Sequence, residues 1–591
     1  MLFSGIWPVI GGALRLSAQD KPGFPEGLPM LIAVCVFCVA KACSQQATDP
    51  DQKLASDFWA WRARTGQYTG DDVTRMERPL GLARSWSAAS VEKQQKELST
   101  FEERWRRQND PGAPVPQQVD HRLIGSALAR VRWELDILKR WQRDPNFYIE
   151  QTLTPVGEAL TVPGPYDERH SREIMARLNC IPAILDQAKQ NLASPPAPYA
   201  KMAINSLAAV RLKLEQLART LPPETTIPAA EWQAATDQAA ASLEQYRAWL
   251  QKILPTLPGQ SAIGREKYLW FLRNVALVPY TPEEMVSRSE QEFRRAVAFE
   301  GIEENRNRSV PPLEMAATTE DWIVRNERAE LGVRGFLEQR GIRTLPPELR
   351  HFTLRAAPPY LAAFGDFVEM DDFTGPSRLG QNGIRYVTPP SPSGGYFWVA
   401  DARDPRIQIV HEGTVGHYGQ LCASWQNSDL IRRHYYDSGP IEGIGFYAEE
   451  MMLQAGLYDD SPHSREIVYS QMRLRALRVI ADVQLALGIL TPEGAADFMQ
   501  HNVPMSAEDA RTEVVEMGET PGQKISYQIG KLQIIEMLEE SRQRQGERFS
   551  LRAFHDYLWQ NGNVPIMLLR WEYLGVGDAA GKLGIIGDAA P

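Results

Sequence analysis

The feature that most constrains the fold of this chain is a helical spacing of apolar residues, which recurs along its first half. Segments such as SVEKQQKELSTFEERWRRQ, IGSALARVRWELDILKRWQ and AATDQAAASLEQYRAWLQKIL carry apolar residues three and four positions apart. This spacing places their side chains on one face of an α-helix. Pro- and Gly-containing clusters such as SPPAPY, LPPETTIP and LPTLPGQ separate the segments, and such clusters end helices. The pattern therefore predicts a mainly α-helical fold.

Between about residues 350 and 404 the sequence becomes rich in Pro, Gly and aromatic residues. The run YFWV at Tyr396–Val399 combines β-forming residues with flanking glycines, which predicts a short strand in a small β element near residues 385–400. Helical spacing resumes after this region. We expect a leader and tether over residues 1–50, a helical half over 51–350 and a second half over 351–591. The two halves are expected to form one continuous domain over about 51–580.

Composition argues against a nucleic-acid partner and against a fold held by disulfides. The chain has 64 Lys and Arg against 74 Asp and Glu, a formal charge of −10, which argues against nucleic-acid binding. It has five cysteines, of which Cys35, Cys38 and Cys43 lie near the N-terminus. Too few cysteines remain downstream for a disulfide framework.

The apolar run LPMLIAVCVFCVAKAC resembles an export signal that ends in a lipoprotein processing site at Cys43. It has about the length of a signal-peptide core and is short for a membrane span. We therefore expect an exported protein, periplasmic or anchored to the membrane by a lipid at Cys43. Lys41 within the cleavage region departs from the usual processing site. About 27 residues precede the run, so the true start could be Met30. A partly buried N-terminal segment of a cytoplasmic protein remains the alternative.

The stretch VHEGTVGHYGQ contains a His-Glu pair and a second histidine six residues after the first. In an unbroken helix, six residues turn about 600°, which places His417 roughly 120° from His411 and about 9 Å along the axis. Two histidines in that arrangement could not share a metal ion. Gly413 and Gly416 permit a kink or a widened turn that would bring the rings together. The same glycines could instead serve tight packing alone.

Further carboxylates could complete a zinc site of the His₂Glu type, which leaves a fourth position for water. Glu442, 25 residues after His417 in SGPIEGIGFYAEEMM, is the preferred third ligand. Glu449 would share its helical face and could accept a hydrogen bond from a ligand histidine. Glu412 is the natural general base, and Tyr527 could stabilise an oxyanion. Each residue also has an ordinary explanation. Glu442 could interact favourably with a helix dipole, and Tyr527 could be an aromatic residue of a core or an interface.

These motifs together resemble bacterial "domain of unknown function" family 885, whose members are similar to zinc metallopeptidases of the gluzincin type. The family motif HExxPGHxxQ occurs here as HEGTVGHYGQ, EGWALYAE as EGIGFYAE, PGQALSYKIG as PGQKISYQIG, and FDLRAFHDxLLxNGxxPL as FSLRAFHDYLWQNGNVPI. The resemblance implies a large helical peptidase-like fold with a central cleft. It implies that His411, His417 and Glu442 bind one zinc ion. It also implies that Tyr396–Val399 could pair with an extended peptide by strand addition.

The family pattern implies further residues near the metal or the substrate, and the chain departs from it at three positions. The further residues are Gln420, Gln523, Arg478 and Asp482. The departures are Val415 in place of a Pro, Ala486 in place of a His and Glu516 near a lost Arg. No departure affects an expected ligand, although each could alter specificity or rate.

The sequence therefore predicts an exported zinc-dependent metallohydrolase that cleaves peptide bonds, with Glu412 as general base and Tyr527 as oxyanion donor. The alternative is a catalytically inactive helical envelope protein that binds peptides or a protein partner and keeps a structural or vestigial metal site. The intact Glu412 favours the enzyme, because a structural zinc site has four protein ligands and needs no base. The choice between internal and terminal cleavage stays open, as does the oligomeric state.

Overall fold

Helices dominate the fold, as the periodicity predicts. A computed structural model describes residues 50–69, 77–82, 84–365, 367 and 370–584. The α-helices are α1 (Pro50–Thr65), α2 (Ala88–Gln108), α3 (Val115–Arg132), α4 (Arg140–Arg143), α5 (Pro145–Thr161), α6 (Glu168–Asn191), α7 (Ala197–Ser206), α8 (Val210–Thr220), α9 (Ala229–Ile253), α10 (Arg265–Asn274), α11 (Pro282–Arg306), α12 (Thr319–Arg340), α13 (Pro359–Ala362), α14 (Tyr396–Arg403), α15 (Arg406–His411), α16 (His417–Gln426), α17 (Leu430–His434), α18 (Ser438–Ala455), α19 (Pro462–Ala486), α20 (Pro492–Asn502), α21 (Ala507–Glu519), α22 (Ser526–Gln545), α23 (Leu551–Gln560), α24 (Ile566–Leu574) and α25 (Asp578–Lys582). Shorter helical turns cover Trp133–Leu138, Pro222–Glu224, Leu254–Thr256 and Gly546–Arg548.

Local capping explains where several of these helices begin and end. Helix α11 begins with a capping box, in which the Thr281 hydroxyl and the Glu284 carboxylate each bond the other's backbone N–H. Helix α18 begins where Asp437 accepts a hydrogen bond from the Gly439 N–H and ends at Gly456, which has a φ of +93°. These caps satisfy backbone groups that the helices themselves leave unpaired. They fix the start of the helix that carries Glu442.

The expected β element is a three-stranded sheet in the order β1 (Phe352–Ala356), β3 (Gly383–Val387), β2 (Asp371–Asp372). β1 pairs with β3 in parallel, with Phe352 opposite Gly383. β2 pairs with β3 antiparallel, with Asp371 opposite Arg385. The sheet lies mostly upstream of the predicted region, and only β3 reaches it.

The strand predicted at Tyr396–Val399 is wrong, because these residues begin helix α14. Phe397 contacts the guanidinium of Arg475 in α19, whereas the Trp398 ring meets Trp322 of α12 with centroids 4.7 Å apart. The roughly 100° step of a helix lets these neighbours reach two different partners, so packing overrides the β-forming composition. The segment therefore offers no strand to an extended peptide, and the edges of the sheet are β1 and β2.

One hydrophobic core cluster runs from Leu54 in α1 to Ala580 in α25 and includes buried residues of both predicted halves. Within it, α18 and α22 cross where two glycines meet. A Cβ on Gly443 would lie 2.8 Å from the Gly530 Cα, and a Cβ on Gly530 would lie 2.6 Å from the Gly439 carbonyl oxygen. The crossing therefore requires glycine at both positions, and it places the start of α22 beside α18.

The expected leader over residues 1–49, with its processing site at Cys43, lies outside the described residues. Among the helices that are described, none has the length and apolar character needed to cross a membrane.

Candidate metal centre

The two histidines lie on separate helices that a five-residue loop joins. Helix α15 ends at His411, and α16 begins at His417. Across the loop, the Tyr418 N–H donates to the Glu412 carbonyl at 2.9 Å and the Gly419 N–H to the Gly413 carbonyl at 3.2 Å. These bonds span six residues instead of the four of an α-helix. The helix is therefore interrupted by a widened turn, which brings the imidazole centroids to 4.7 Å from each other.

Glycine is required in this turn, because the chain doubles back on itself. A Cβ on Gly416 would lie 1.7 Å from the His411 carbonyl oxygen, closer than any real contact. Side chains from two other segments donate hydrogen bonds to the turn. The Val415 carbonyl accepts from the Trp559 indole at 2.7 Å and from the Arg343 guanidinium at 3.2 Å. These bonds hold the turn although Val415 replaces the expected proline.

A single carboxylate oxygen joins the two imidazoles. Glu442 Oε2 lies 3.2 Å from His411 Nε2 and 3.3 Å from His417 Nε2. Zinc–ligand bonds of roughly 2.0–2.1 Å imply tetrahedral edges of about 3.3 Å between neighbouring ligand atoms. The two measured separations match such edges. His411, Glu412 and His417 also each offer a ligand atom within 4.8 Å of the others. The donor set is therefore of the His₂Glu type, with a further carboxylate adjacent.

Gly445 brings helix α18 against both rings. A Cβ at this position would lie 3.0 Å from His417 Cε1 and 3.1 Å from His411 Cε1. The side chain of Glu442, one turn earlier on α18, therefore reaches the same space as the imidazoles. Gly445 thus permits the approach of α18 to the histidine helices, whereas Gly443 contacts α22.

Carboxylates lie close to both imidazoles of this centre. Burial alone would lower the pKa of His411, but Glu442 and Glu449 outweigh burial and raise the pKa to about 10. Burial tends to raise the pKa of Glu442, yet His417 and His411 hold it well below its ordinary value. A buried cluster of this kind needs positive charge between its groups. A divalent cation supplies that charge, so the residues fit a metal ion.

Glu412 lies at the edge of the centre, where 27% of its side chain is exposed. Its Oε2 is 3.8 Å from His417 Nε2, and its Oε1 is 3.7 Å from Arg385 Nη1 on β3. Burial acts to raise the pKa of Glu412, but His417, His411 and Arg385 together lower it. The carboxylate is therefore ionised at neutral pH and able to accept a proton.

Glu449 and Arg475 lie behind His411. Glu449 Oε1 is 2.7 Å from His411 Nδ1, on the opposite side of the ring from Glu442. The Arg475 guanidinium of α19 donates to the same oxygen at 2.9 Å. Arg475 was not predicted, although it lies three residues before Arg478 on one helix face, and this spacing could have indicated it. No sequence signal singles out Arg385.

Tyr527, in the first turn of α22, stacks on His411 with centroids 6.0 Å apart and planes 14° apart. Arg478 lies 5.1 Å from the centroid of the same ring, and its guanidinium pairs with Glu513. The phenol ring is thus held between the imidazole and a cation of α19. Tyr527 and Glu442 both line a cleft of about 720 Å³, together with Glu412 and Gln523.

Two residues implied by the family pattern bond segments next to the expected site residues. Asp482 accepts hydrogen bonds from the Gly522 N–H and from Tyr268, and burial raises its pKa to about 7. It thereby supports the turn that precedes Tyr527. Gln420 is fully buried and donates to the Pro440 carbonyl at 3.4 Å, which links α16 to α18.

The departures from the family pattern have identifiable surroundings. Ala486 is buried in the hydrophobic cluster that includes Ile525 and Ile529. Glu516 lines the cleft and lies 3.1 Å from Lys524 Nζ. Neither residue contacts the expected ligands through a described hydrogen bond or ion pair.

A family model described as "Bacterial protein of unknown function (DUF885)" matches residues 76–572. The chain belongs to this family. Two solved structures share the fold of this DUF885 member. A "putative lipoprotein of unknown function from Shewanella oneidensis" has 19% identity and a TM-score of 0.66, with 89% of this chain and 99% of that chain covered. A "putative lipoprotein from Colwellia psychrerythraea" has 16% identity and a TM-score of 0.65, with 92% and 99% covered. None of the curated proteins matches the chain.

Proposed function

We propose that this protein is a zinc-dependent peptidase of the gluzincin type. The observation that carries the proposal is the shared contact of both histidine Nε2 atoms with Glu442 Oε2, at 3.2 and 3.3 Å, in the wall of a large cleft. His411, His417 and Glu442 would hold the ion. When bound, zinc lowers the pKa of a water molecule and polarises a substrate carbonyl.

The residues around the ion have distinct roles in this proposal. Glu412 takes a proton from the attacking water and delivers it to the leaving amine, so its carboxylate starts ionised. Arg385 and the imidazoles favour that ionised state. Glu449 lies 2.7 Å from the far nitrogen of His411 and, as its neighbouring anion, would fix the orientation of the ring. The Tyr527 phenol stabilises the negative charge that develops on the carbonyl oxygen.

We also propose that the protein is exported and attached to a membrane through a lipid at Cys43. The apolar run that ends in AKACS supports this proposal, as do the names of the two similar structures, both described as lipoproteins. Metabolic labelling with radioactive palmitate tests it. Label is expected in the wild-type chain and none in a Cys43→Ser variant.

Zinc content and turnover, measured on the same preparations, test the proposed activity. We expect one zinc per chain and cleavage of a mixed peptide library, read by mass spectrometry. Glu412→Gln should keep the zinc and lose at least a hundredfold in kcat, since general base catalysis contributes roughly 10²–10⁴-fold. A matched control, Glu547→Gln, changes an exposed carboxylate in the turn at Gly546–Arg548 and should alter neither quantity.

Two outcomes contradict the proposal. Absence of zinc from the wild-type chain would remove its basis. Bound zinc with a fourth protein ligand and no cleavage of any library peptide would instead indicate a non-catalytic envelope protein that binds peptides or a partner.

A further inference from the structure

Glu412 lies close enough to the two histidines to become a metal ligand instead of a base. His411, Glu412 and His417 each offer one ligand atom, and these atoms lie within 4.8 Å of one another. Glu412 Oε2 is 3.8 Å from His417 Nε2, and Glu442 Oε2 is 3.3 Å from the same atom, a difference of about 0.5 Å. This small difference matters, because four protein ligands close a zinc site, whereas a catalytic site keeps its fourth position for water.

The backbone of Glu412 is held in place, so a shift toward the ion would involve its side chain. The Glu412 N–H donates to the Gln408 carbonyl at 2.7 Å, and the Glu412 carbonyl accepts from the Tyr418 N–H at 2.9 Å. The carboxylate has ion-pair contacts at 3.7 and 3.8 Å, which are longer than hydrogen bonds. Its orientation therefore depends on the charges that surround it.

Arg385 places a positive charge beside the other oxygen of Glu412. Its Nη1 lies 3.7 Å from Glu412 Oε1, whereas Oε2 is the oxygen that approaches His417. The same Nη1 lies 3.5 Å from Asp371 Oδ2. Asp371 is directly opposite Arg385 in the antiparallel pair of β2 and β3, and opposite charges at such paired positions stabilise a sheet. The sheet therefore sets the position of the guanidinium.

Hydrogen bonds in the following turn hold strand β2 at the edge of the sheet. Asp372, which pairs with Ile384 of β3, accepts from both terminal nitrogens of Arg378 at 2.9 and 2.6 Å. It also accepts from the Thr374 N–H at 3.0 Å. A bidentate contact between a guanidinium and a carboxylate fixes geometry as well as adding energy. The support of Arg385 is therefore independent of the histidine helices.

Two neighbouring carboxylates would repel Glu412 if Arg385 were absent. Asp371 lies beside the guanidinium, and Asp401 of α14 is 5% exposed. Burial raises the pKa of Asp401 to about 7; Arg385 opposes this rise and Glu412 adds to it. Asp401 is therefore an electrostatic neighbour of both residues, and like charges repel one another most strongly where water is excluded. Arg385 balances these charges and attracts Glu412 toward the sheet.

We propose that Arg385 is a positioning residue, which draws Glu412 away from the metal ion and so keeps it a base instead of a fourth ligand. The proposal rests on the proposed zinc site of His411, His417 and Glu442. It goes beyond that site, because it makes the sheet decide between an open catalytic centre and a closed structural one. Without the guanidinium, Glu412 should join the donor set.

Zinc affinity in a double-mutant cycle tests this role without turnover. Competition with a chromogenic chelator gives the dissociation constant for zinc in the wild type, Arg385→Gln, Glu412→Gln and the double variant. Loss of the guanidinium charge favours a bound cation in both backgrounds, so this contribution cancels when the two effects are compared. We expect Arg385→Gln to lower the dissociation constant by about tenfold more in the wild-type background than in the Glu412→Gln background.

Two further variants are the controls. Arg385→Lys keeps the positive charge and should keep the dissociation constant within about threefold of the wild-type value. Arg355→Gln removes an exposed arginine from β1 of the same sheet and should change neither zinc affinity nor turnover. Thermal unfolding in the presence of chelator shows whether each variant is folded. Equal effects of Arg385→Gln in the two backgrounds would overturn the proposal, as would the absence of zinc binding by the wild type.

Turnover separates this inference from the proposed activity. Arg385→Gln should lower kcat by at least about tenfold and change KM by less than about threefold, because it displaces the base and not the substrate. Arg385→Lys should recover part of the lost kcat. If a wild type that binds zinc cleaves no peptide, the peptidase proposal fails, while the zinc measurements still decide the role of Arg385. If the wild type cleaves peptides and the cycle shows no coupling, the role of Arg385 fails alone.

Discussion

At the scale of single residues, the expected ligand His411 also has partners on the side of its ring away from Glu442. The Arg475 guanidinium, the Glu449 carboxylate and the His411 imidazole follow one another at 2.9 and 2.7 Å. All three are buried. The Glu449 carboxylate, which Arg475 fixes, thus lies beside one nitrogen of His411, while the other nitrogen lies beside Glu442. The sequence analysis predicts Glu449 beside a ligand histidine, whereas Arg475 was not predicted.

Replacing Tyr527 tests its role as oxyanion donor. We expect Tyr527→Phe to lower kcat by about 10²–10³-fold with an unchanged zinc content, because the phenol contributes to the transition state and not to the donor set. Steady-state kinetics and metal analysis measure the two effects. Tyr573→Phe, a change of the same kind in α24, serves as the control. A Tyr527→Phe variant as active as the wild type would remove this residue from the mechanism.

His555 should make stability depend on pH. This residue is fully buried, and its ring contacts the Tyr447 hydroxyl and the Ile342 carbonyl, each at 2.8 Å. Burial lowers its pKa from 6.5 to about 4. Between these values the unfolded chain binds a proton that the folded chain does not, so the free energy of unfolding falls as pH falls from 6.5 toward 4.

The measurement is the free energy of unfolding in urea, taken for the wild type and for His555→Gln. At 1.36 kcal/mol per pKa unit, the wild type should lose about 3 kcal/mol more than the variant across this window. Loss of metal in acid affects both proteins and cancels in the comparison. Parallel pH profiles would show that the His555 ring is not held neutral in the folded state.

At the scale of elements, glycines decide how closely the helices of the centre approach one another. Gly445→Ala places a methyl group 3.0–3.1 Å from both imidazoles, which must then shift by a few tenths of an ångström. We expect the dissociation constant for zinc to rise about 10–100-fold, the size of effect seen when groups around ligands are altered. Competition with a chromogenic chelator measures it.

Gly301→Ala is the matched control for Gly445→Ala. Gly301 lies within α11, and a Cβ there meets no atom within 4 Å. Its replacement should leave zinc affinity unchanged and stabilise the fold by about 0.5–1 kcal/mol, because alanine favours a helix over glycine. Unchanged affinity in Gly445→Ala would show that the imidazoles do not depend on contact with α18.

Some of these elements could be predicted from the sequence, and others could not. The 3.6-residue spacing of apolar residues indicates the long helices. The six-residue interval between His411 and His417, with Gly413 and Gly416 inside it, indicates from sequence alone that the helix is interrupted. The conformation of Tyr396–Val399 could not be predicted locally, because its neighbours Trp322 and Arg475 come from distant helices. Likewise, the partner of Gly443 is a glycine in α22, and no local pattern shows such a crossing.

At the scale of the whole molecule, the centre joins parts of the fold that are distant in sequence. The expected ligands come from α15, α16 and α18, while Arg385 comes from the sheet and Tyr527 from α22. The ligand set of His411, His417 and Glu442 stays a prediction from the motifs along the chain. Only the packed core brings these elements together.

Zinc should therefore stabilise the whole fold. An ion that binds only the folded chain adds about 4 kcal/mol at a concentration 1,000 times its dissociation constant. We expect dipicolinate to lower Tm by several degrees and added zinc to restore it, as measured by differential scanning fluorimetry. His417→Ala should show no such response, whereas His501→Ala, at an exposed position of α20, should respond like the wild type. An identical Tm with and without chelator would contradict this expectation.

Anomalous X-ray scattering at the zinc edge tests the central claim most directly, because it locates the ion without reference to activity. We expect one peak per chain, about 2.0–2.2 Å from His411 Nε2, His417 Nε2 and Glu442 Oε2, with a fourth position open to the cleft beside Glu412. A crystal grown with zinc that shows no peak between these three side chains, or shows the ion enclosed by four protein ligands, would contradict it.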